Sequence, residues 1–173
     1  VKRVIAWNTL EVLAYRTSSP DFPVNAIPPA AKASMHMRFV VGTHASRLRD
    51  VLRAHLATQG FGDIEVSEPV VMAATRLDPD NAWVRFALAS IERNTGKAPT
   101  LLPNLGGSLP NDVFAEMLGL PTVWVPHSYP ACQQHAPDEH LLAPVEREAL
   151  QLMTGLFWDL GEQAAALPRR ATR

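Results

Sequence analysis

From Ala31 to Val41, apolar and polar positions alternate: Ala31, Ala33, Met35, Met37, Phe39 and Val41 fall on one side, Lys32, Ser34, His36 and Arg38 on the other. A period of two sets one group against a core and aims the other outward, which makes this the clearest strand in the chain. Thr9 to Tyr15 alternates less regularly, with Leu10, Val12 and Ala14 on one face, and predicts a half-buried strand. Between them Thr17 to Pro29 carries four prolines and reads as a loop. Leu48, Val51, Leu52 and Leu56 then recur at helical spacing. With Ser46 as cap and Gly60 as stop, they predict a helix from Ser46 to about Gln59. Ile64 and Val66, then Val70 to Ala74, predict a further strand, broken or bulged near Pro69.

The second half has a different rhythm. Asp78 or Asp80 with Pro79 can open a helix that carries Trp83, Phe86, Ala87 and Ile91 on one side and ends at Gly96. A short strand at about Thr100 to Leu102, a loop from Pro103 to Pro110, a helix from about Asn111 to Leu118 stopped by Gly119, and a strand at Thr122 to Val125 follow. The last helix, Pro144 to Ala166, places Val145, Ala149, Leu152, Met153, Leu156 and Leu160 on one stripe, with Glu146 and Glu148 in the first turn, where the helix dipole favours them. The order strand, strand, helix, strand of residues 1–76 fits a ferredoxin-like sandwich without its first strand and helix, Val1 to Trp7 being the end of that helix or its turn. Residues 77–167 read as α/β, and 168–173 as a frayed tail. The expected fold class is therefore α/β overall, an α+β first domain followed by an α/β portion.

Composition narrows the function. With 47% hydrophobic and 19% charged residues in 173, the chain is globular and not disordered. Sixteen Lys plus Arg against seventeen Asp plus Glu leave a formal charge of -1, without the basic excess that nucleic acid or an acidic membrane requires, so neither is expected as a partner. Cys132 is a lone cysteine and there is no apolar run near 18 residues, which makes the cytoplasm the expected location. The start, without Met or a capping signal, reads as the middle of a longer chain.

Two loops carry candidate chemistry. Leu105-Gly106-Gly107-Ser108-Leu109-Pro110-Asn111-Asp112 lies between a strand and a helix, where backbone N–H groups can receive an anion such as a carboxylate. Its plainer reading is a glycine turn with Ser108 or Asn111 as helix cap. The loop from Pro126 to His140 holds three of the six histidines together with Asp138 and Glu139. Zinc catalysis needs three or more protein ligands, and there is neither a His-Glu-x-x-His motif nor a cysteine set to supply them.

Asn25-Ala26-Ile27-Pro28, Ser34 to Gly42, Gly106-Gly107-Ser108-Leu109-Pro110 and His135-Ala136-Pro137-Asp138-Glu139 occur in the order found in the dizinc peptidases and amidohydrolases. The chain resembles the C-terminal half of that superfamily, which includes glutamate carboxypeptidase, acetylornithine deacetylase and the carnosine dipeptidases, and its Gly-Gly-Ser-Leu-Pro form is most similar to the dipeptidase branch. The resemblance implies a partial lid and dimerisation domain over 1–76 and the last catalytic-domain elements over 77–167. It implies His135 as a zinc ligand, with Glu139 at the acidic position that follows. Asn25 and Arg38 become lid residues that contact the substrate, and Gly106, Gly107 and Ser108 the loop that receives the same carboxylate. A small peptide or N-acyl amino acid is the implied substrate, two zinc ions the cofactor, and a homodimer through the lid the assembly.

The departures are equally informative. The family's His-x-Asp ligand pair, its bridging aspartate, its Glu-Glu pair with the general base, and a lid histidine that reaches the neighbouring subunit have no counterpart here. The chain alone is expected to hold no catalytic residue and to be inactive. The alternative is a noncatalytic dimerisation or interaction module, or a subunit completed by a separate N-terminal chain.

Overall fold

The computed structural model describes residues 2–169, so Val1 and the end of the expected tail, 170–173, lie outside the described residues. The chain divides into two compact units, Val1–Ala74 with Asn104–Leu109, and Thr75–Pro103 with Pro110–Arg173. Helices and a small antiparallel sheet make it an α+β protein.

The first unit starts with α1 (Lys2–Ala6), followed by β1 (Thr9–Arg16) and β2 (Lys32–Arg38). The two strands pair antiparallel, Thr9 opposite Arg38 and Arg16 opposite Lys32, with an irregularity between Val12 and Ala14. Leu13 is the extra residue of this bulge, and it changes the expected face. Leu10 and Val12 pair with Met37 and Met35, but it is Tyr15, opposite Ala33, that continues the apolar side, while Ala14 crosses to the polar side opposite Ser34. The expected half-burial is not found. Val12 is 61% and Tyr15 66% exposed, because no helix among the described residues packs on the ribbon. Asn8 fastens the ladder's end: its Oδ1 accepts from the Val40 N–H at 3.0 Å and lies 3.3 Å from the Thr43 hydroxyl.

A 3-10 turn, Ala45–Arg47, leads into α2 (Leu48–Thr58). Ser46 does not cap it; the N-cap position is Arg47, with no side-chain capping bond, whereas Gly60 at φ +84° ends the helix as expected. The predicted strand at 64–66 and 70–74 is irregular chain without a ladder. Arg49 takes its place as the fastening, donating from Nε to the Val66 carbonyl at 3.2 Å and pairing with Glu68 at 2.5 Å.

In the second unit, α3 (Ala82–Thr95) and α4 (Ala143–Gln163) lie antiparallel, as the contacts Asn94 to Gly155, Ser90 to Asp159 and Trp83 to Pro168 run in opposite chain directions. Asn81, not Asp78 or Asp80, caps α3, accepting from the Trp83 N–H at 2.9 Å. Gly96 at φ +69° closes it. The buried face is centred on Val84, Ala87 and Ser90, so Trp83 and Phe86 flank it in an edge-to-face pair instead of forming its middle. The α4 stripe is the expected one, with one addition: Asp159 lies seven residues after Leu152 and is 6% exposed.

Asp159 is buried because every neighbour answers it. Its Oδ2 accepts from the Ser90 hydroxyl at 2.7 Å and the Asn94 amide at 3.1 Å, and pairs with Arg93 at 2.7 Å. The Ser90 bond foremost, then the Arg93 charge and the bonds from Arg93 and Asn94, hold its carboxyl below the ordinary range against the opposing effect of burial. Gly155 gives Asn94 its place, since a β-carbon there would fall on the Asn94 amide. Lys97 to Glu148 at 2.7 Å ties the far end of the pair.

The expected helix 111–118 is present over 111–117, its Val113–Met117 part a wider π-helical turn with Asp112 as its cap. Neither Ser108 nor Asn111 takes that role. Asn111 instead donates to the Thr75 hydroxyl at 2.6 Å and accepts from the Trp124 indole at 3.3 Å. Like 64–74, the predicted strands at 100–102 and 122–125 are irregular chain without a ladder. The accessible surface of 13954 Å² exceeds the total of about 10,000 Å² expected of two separate compact bodies sharing 19.0 kDa.

Two predictions follow from the helix pair. Gly155→Ala displaces Asn94 and is expected to cost about 1–3 kcal/mol of stability by overpacking, measured by urea denaturation. Because the folded-state pKa of Asp159 lies below its unfolded value near 4, its contribution is complete above about pH 4 and is lost as pH falls through the lower folded value. Asp159→Asn is therefore expected to melt lower at pH 7 and to lose part of the acid dependence of Tm below about pH 4.

Candidate functional site

Strand pairing brings charged groups together on the polar side of the ribbon. Thr9 faces Arg38, and Glu11 faces His36. Glu11 is thereby the diagonal neighbour of Arg38, and its Oε1 lies 3.9 Å from Arg38 Nε, both side chains being about half exposed. Glu11 was not evident from sequence, because β1 offered no register against β2.

The glycine loop belongs to the same unit. Asn104 donates from Nδ2 to the Ile5 carbonyl at 3.0 Å, which fixes the start of residues 104–109. A β-carbon at Gly106 would stand 4.0 Å from Arg38 Nη1, so the guanidinium and the loop are adjacent. Gly106 is not among the glycines with positive φ. What glycine contributes there is the missing side chain, which leaves the backbone open to a ligand beside the arginine. Gly107 and Ser108 follow in exposed irregular chain. The helix that follows the loop is short, so no long helix dipole is directed at it.

Asn25 lies in the exposed loop between β1 and β2. Among the described residues none hydrogen-bonds to its side chain, Arg38 included.

His135 belongs to the second unit. Its loop follows a 3-10 turn, Pro130–Cys132, and closes where the His140 N–H donates to the Cys132 carbonyl at 3.0 Å. Gln133, His135 and Asp138 all have left-handed backbone, at φ 55°, 63° and 62°, a concentration of strain found mostly at functional sites. Glu139 accepts from the His135 N–H at 3.2 Å, and His140 Nδ1 lies 2.8 Å from the Asp138 carbonyl. These contacts set the backbone and leave the His135 imidazole exposed. Among the described residues no group of three or more His, Cys, Asp or Glu converges on a point that could hold a metal. The residues present thus do not fit a complete zinc centre; His135 offers one nitrogen.

No family model and no curated protein sequence matches the chain. Its fold does match a solved structure, an M20 family metallo-carboxypeptidase from Sulfolobus solfataricus, with a TM-score of 0.72 and 19% sequence identity over 90% of this chain. The chain spans 36% of the length of that structure. At this identity the likeness establishes a shared fold: the α+β arrangement seen here is found in part of a metallopeptidase. No helix of the described residues is long and apolar enough to cross a membrane.

A single exposed imidazole holds zinc weakly, since tight sites need several converging ligands. Calorimetric titration of the chain with zinc is expected to show no stoichiometric site tighter than micromolar. A submicromolar site that survives His135→Ala would shift the ligand to His127 or His140.

Proposed function

We propose that this chain forms the carboxylate-gripping part of a zinc-dependent peptidase or amidohydrolase that hydrolyses peptide or N-acyl amino-acid amide bonds. The observation that carries the reading is the Arg38 guanidinium next to Gly106, within a fold shared with a metallo-carboxypeptidase. A guanidinium fork donates two parallel hydrogen bonds to a carboxylate, and the exposed backbone of Gly106, Gly107 and Ser108 offers further N–H groups to the same anion. Asn25, with an uncommitted amide, is a further candidate contact. Holding one end of the substrate fixes where its amide bond lies, which is how positioning residues lower a barrier without touching the reacting atoms.

In this reading His135 supplies one zinc ligand, and the remaining ligands and the general base come from outside the chain described. The dipeptidase-like branch is preferred for the Gly-Gly-Ser-Leu-Pro sequence of 106–110. A homodimer through residues 1–76 belongs to the same proposal, supported by the bare apolar face of the β1–β2 ribbon and its free edges. That bare face equally favours a second reading, a noncatalytic dimerisation or interaction module.

Arg38→Lys tests the grip, because an ammonium cannot reproduce the planar fork. Affinity of the chain for N-acetyl-L-alanine, followed by NMR titration, is expected to fall about tenfold or more, on the scale of ~1.5–3 kcal/mol for a charge-assisted hydrogen bond. Equal loss for N-acetyl-L-alaninamide, which has no carboxylate, would make Arg38 a structural residue and remove the reading's support.

A further inference from the structure

Arg38 is approached from two sides. Glu11 meets it at Nε, 3.9 Å away, while Nη1 is the atom next to Gly106. The two contacts use different atoms of the guanidinium, so the ion pair at Nε leaves Nη1 beside the glycine loop. A long arginine side chain on an open ribbon has many rotamers, and ordering it is a cost that a ligand would otherwise bear on binding. Glu11 lies where it can bear part of that cost beforehand. Its place is set by the backbone: Thr9 faces Arg38 and Glu11 faces His36 in unbroken ladder, and the bulge at Leu13 begins beyond this diagonal. The end of the ladder that carries Arg38 is further fastened by Asn8 to Val40 and Thr43.

We propose that Glu11 is the positioning residue of the carboxylate grip, holding Arg38 by Nε so that its terminal fork faces the Gly106 loop. This rests on the carboxylate reading of Arg38 and adds to it a residue that does not itself touch the ligand. The opposite role is chemically available, since a second anion next to an arginine can compete with a ligand carboxylate, and the two roles predict opposite signs.

The test uses the 173-residue chain with N-acetyl-L-alanine and N-acetyl-L-alaninamide as probes, titrated by NMR against wild type, Glu11→Ala, Glu11→Gln and Arg38→Ala. Positioning predicts that Glu11→Ala weakens the carboxylate probe by roughly two- to fivefold, the range of a half-exposed ion pair. Glu11→Gln, which keeps the reach but removes the charge of the ion pair, should also weaken it, by no more than Glu11→Ala. The amide probe should be unchanged by either. Where Glu11→Ala unsettles the ribbon, seen as a lower Tm, the isosteric Gln variant carries the comparison. Unchanged or tighter binding of the carboxylate probe in both Glu11 variants, with Arg38→Ala still abolishing it, would overturn the positioning role and leave the grip standing. Carboxylate affinity that survives Arg38→Ala would overturn the grip and this inference with it.

Discussion

Asp159 occupies a position in the apolar stripe of α4 where an unanswered carboxylate would be costly to bury, and the second unit is arranged around answering it. Ser90, Asn94 and Arg93 all come from α3, and all reach the same oxygen, Oδ2. Since each donor has one workable position along the helix, the cluster sets the register of α3 against α4 more narrowly than the surrounding apolar side chains do. Gly155 follows from the same constraint, being the space that Asn94 needs. The buried apolar residues among those described, Val84, Ala87, Cys132 and Leu152, all lie in this unit.

The first unit is held in another way. None of its described residues is fully buried, and its order comes from a two-stranded ladder, the Asn8 clasp, the Arg49 fastening and the Asn104 bond that brings a later segment back. Exposed hydrogen bonds of this kind fix backbone geometry with little hydrophobic support. The consequence for function is that the polar side of the ribbon is well placed and open, with Arg38 at its end and the glycine loop next to it. Its apolar side, Leu10, Val12, Tyr15 and Met35, remains in water, and the chain as a whole exposes far more surface than compact units of this size.

Helices were legible in the sequence because their apolar periods and glycine stops are local. The α4 stripe from Val145 to Leu160 and the stops at Gly60 and Gly96 needed no knowledge of the rest of the chain. Strands fared worse, since a strand exists by virtue of a partner. Segments 64–74, 100–102 and 122–125 have the composition of strands and stay unpaired. Ala14 was assigned to the apolar side because a bulge at Leu13 leaves no mark in the alternation. At the site, Arg38 and the glycine loop could be singled out as residues, but their adjacency depends on Asn104 reaching Ile5, 99 positions away in sequence. Glu11 and Asp159 were invisible for a related reason. One looks like an ordinary polar strand position and the other like a flaw in an apolar stripe, until the facing element is known.

In the proposed function, Arg38 and the Gly106 to Ser108 backbone receive one carboxylate together. A crystal structure of the chain with bound N-acetyl-L-alanine measures this directly. The account predicts carboxylate oxygens within hydrogen-bonding distance, about 2.7–3.2 Å, of both the Arg38 terminal nitrogens and at least one N–H of residues 106–108. A ligand carboxylate held elsewhere, with Arg38 still turned to Glu11 and the glycine loop uncontacted, would contradict it.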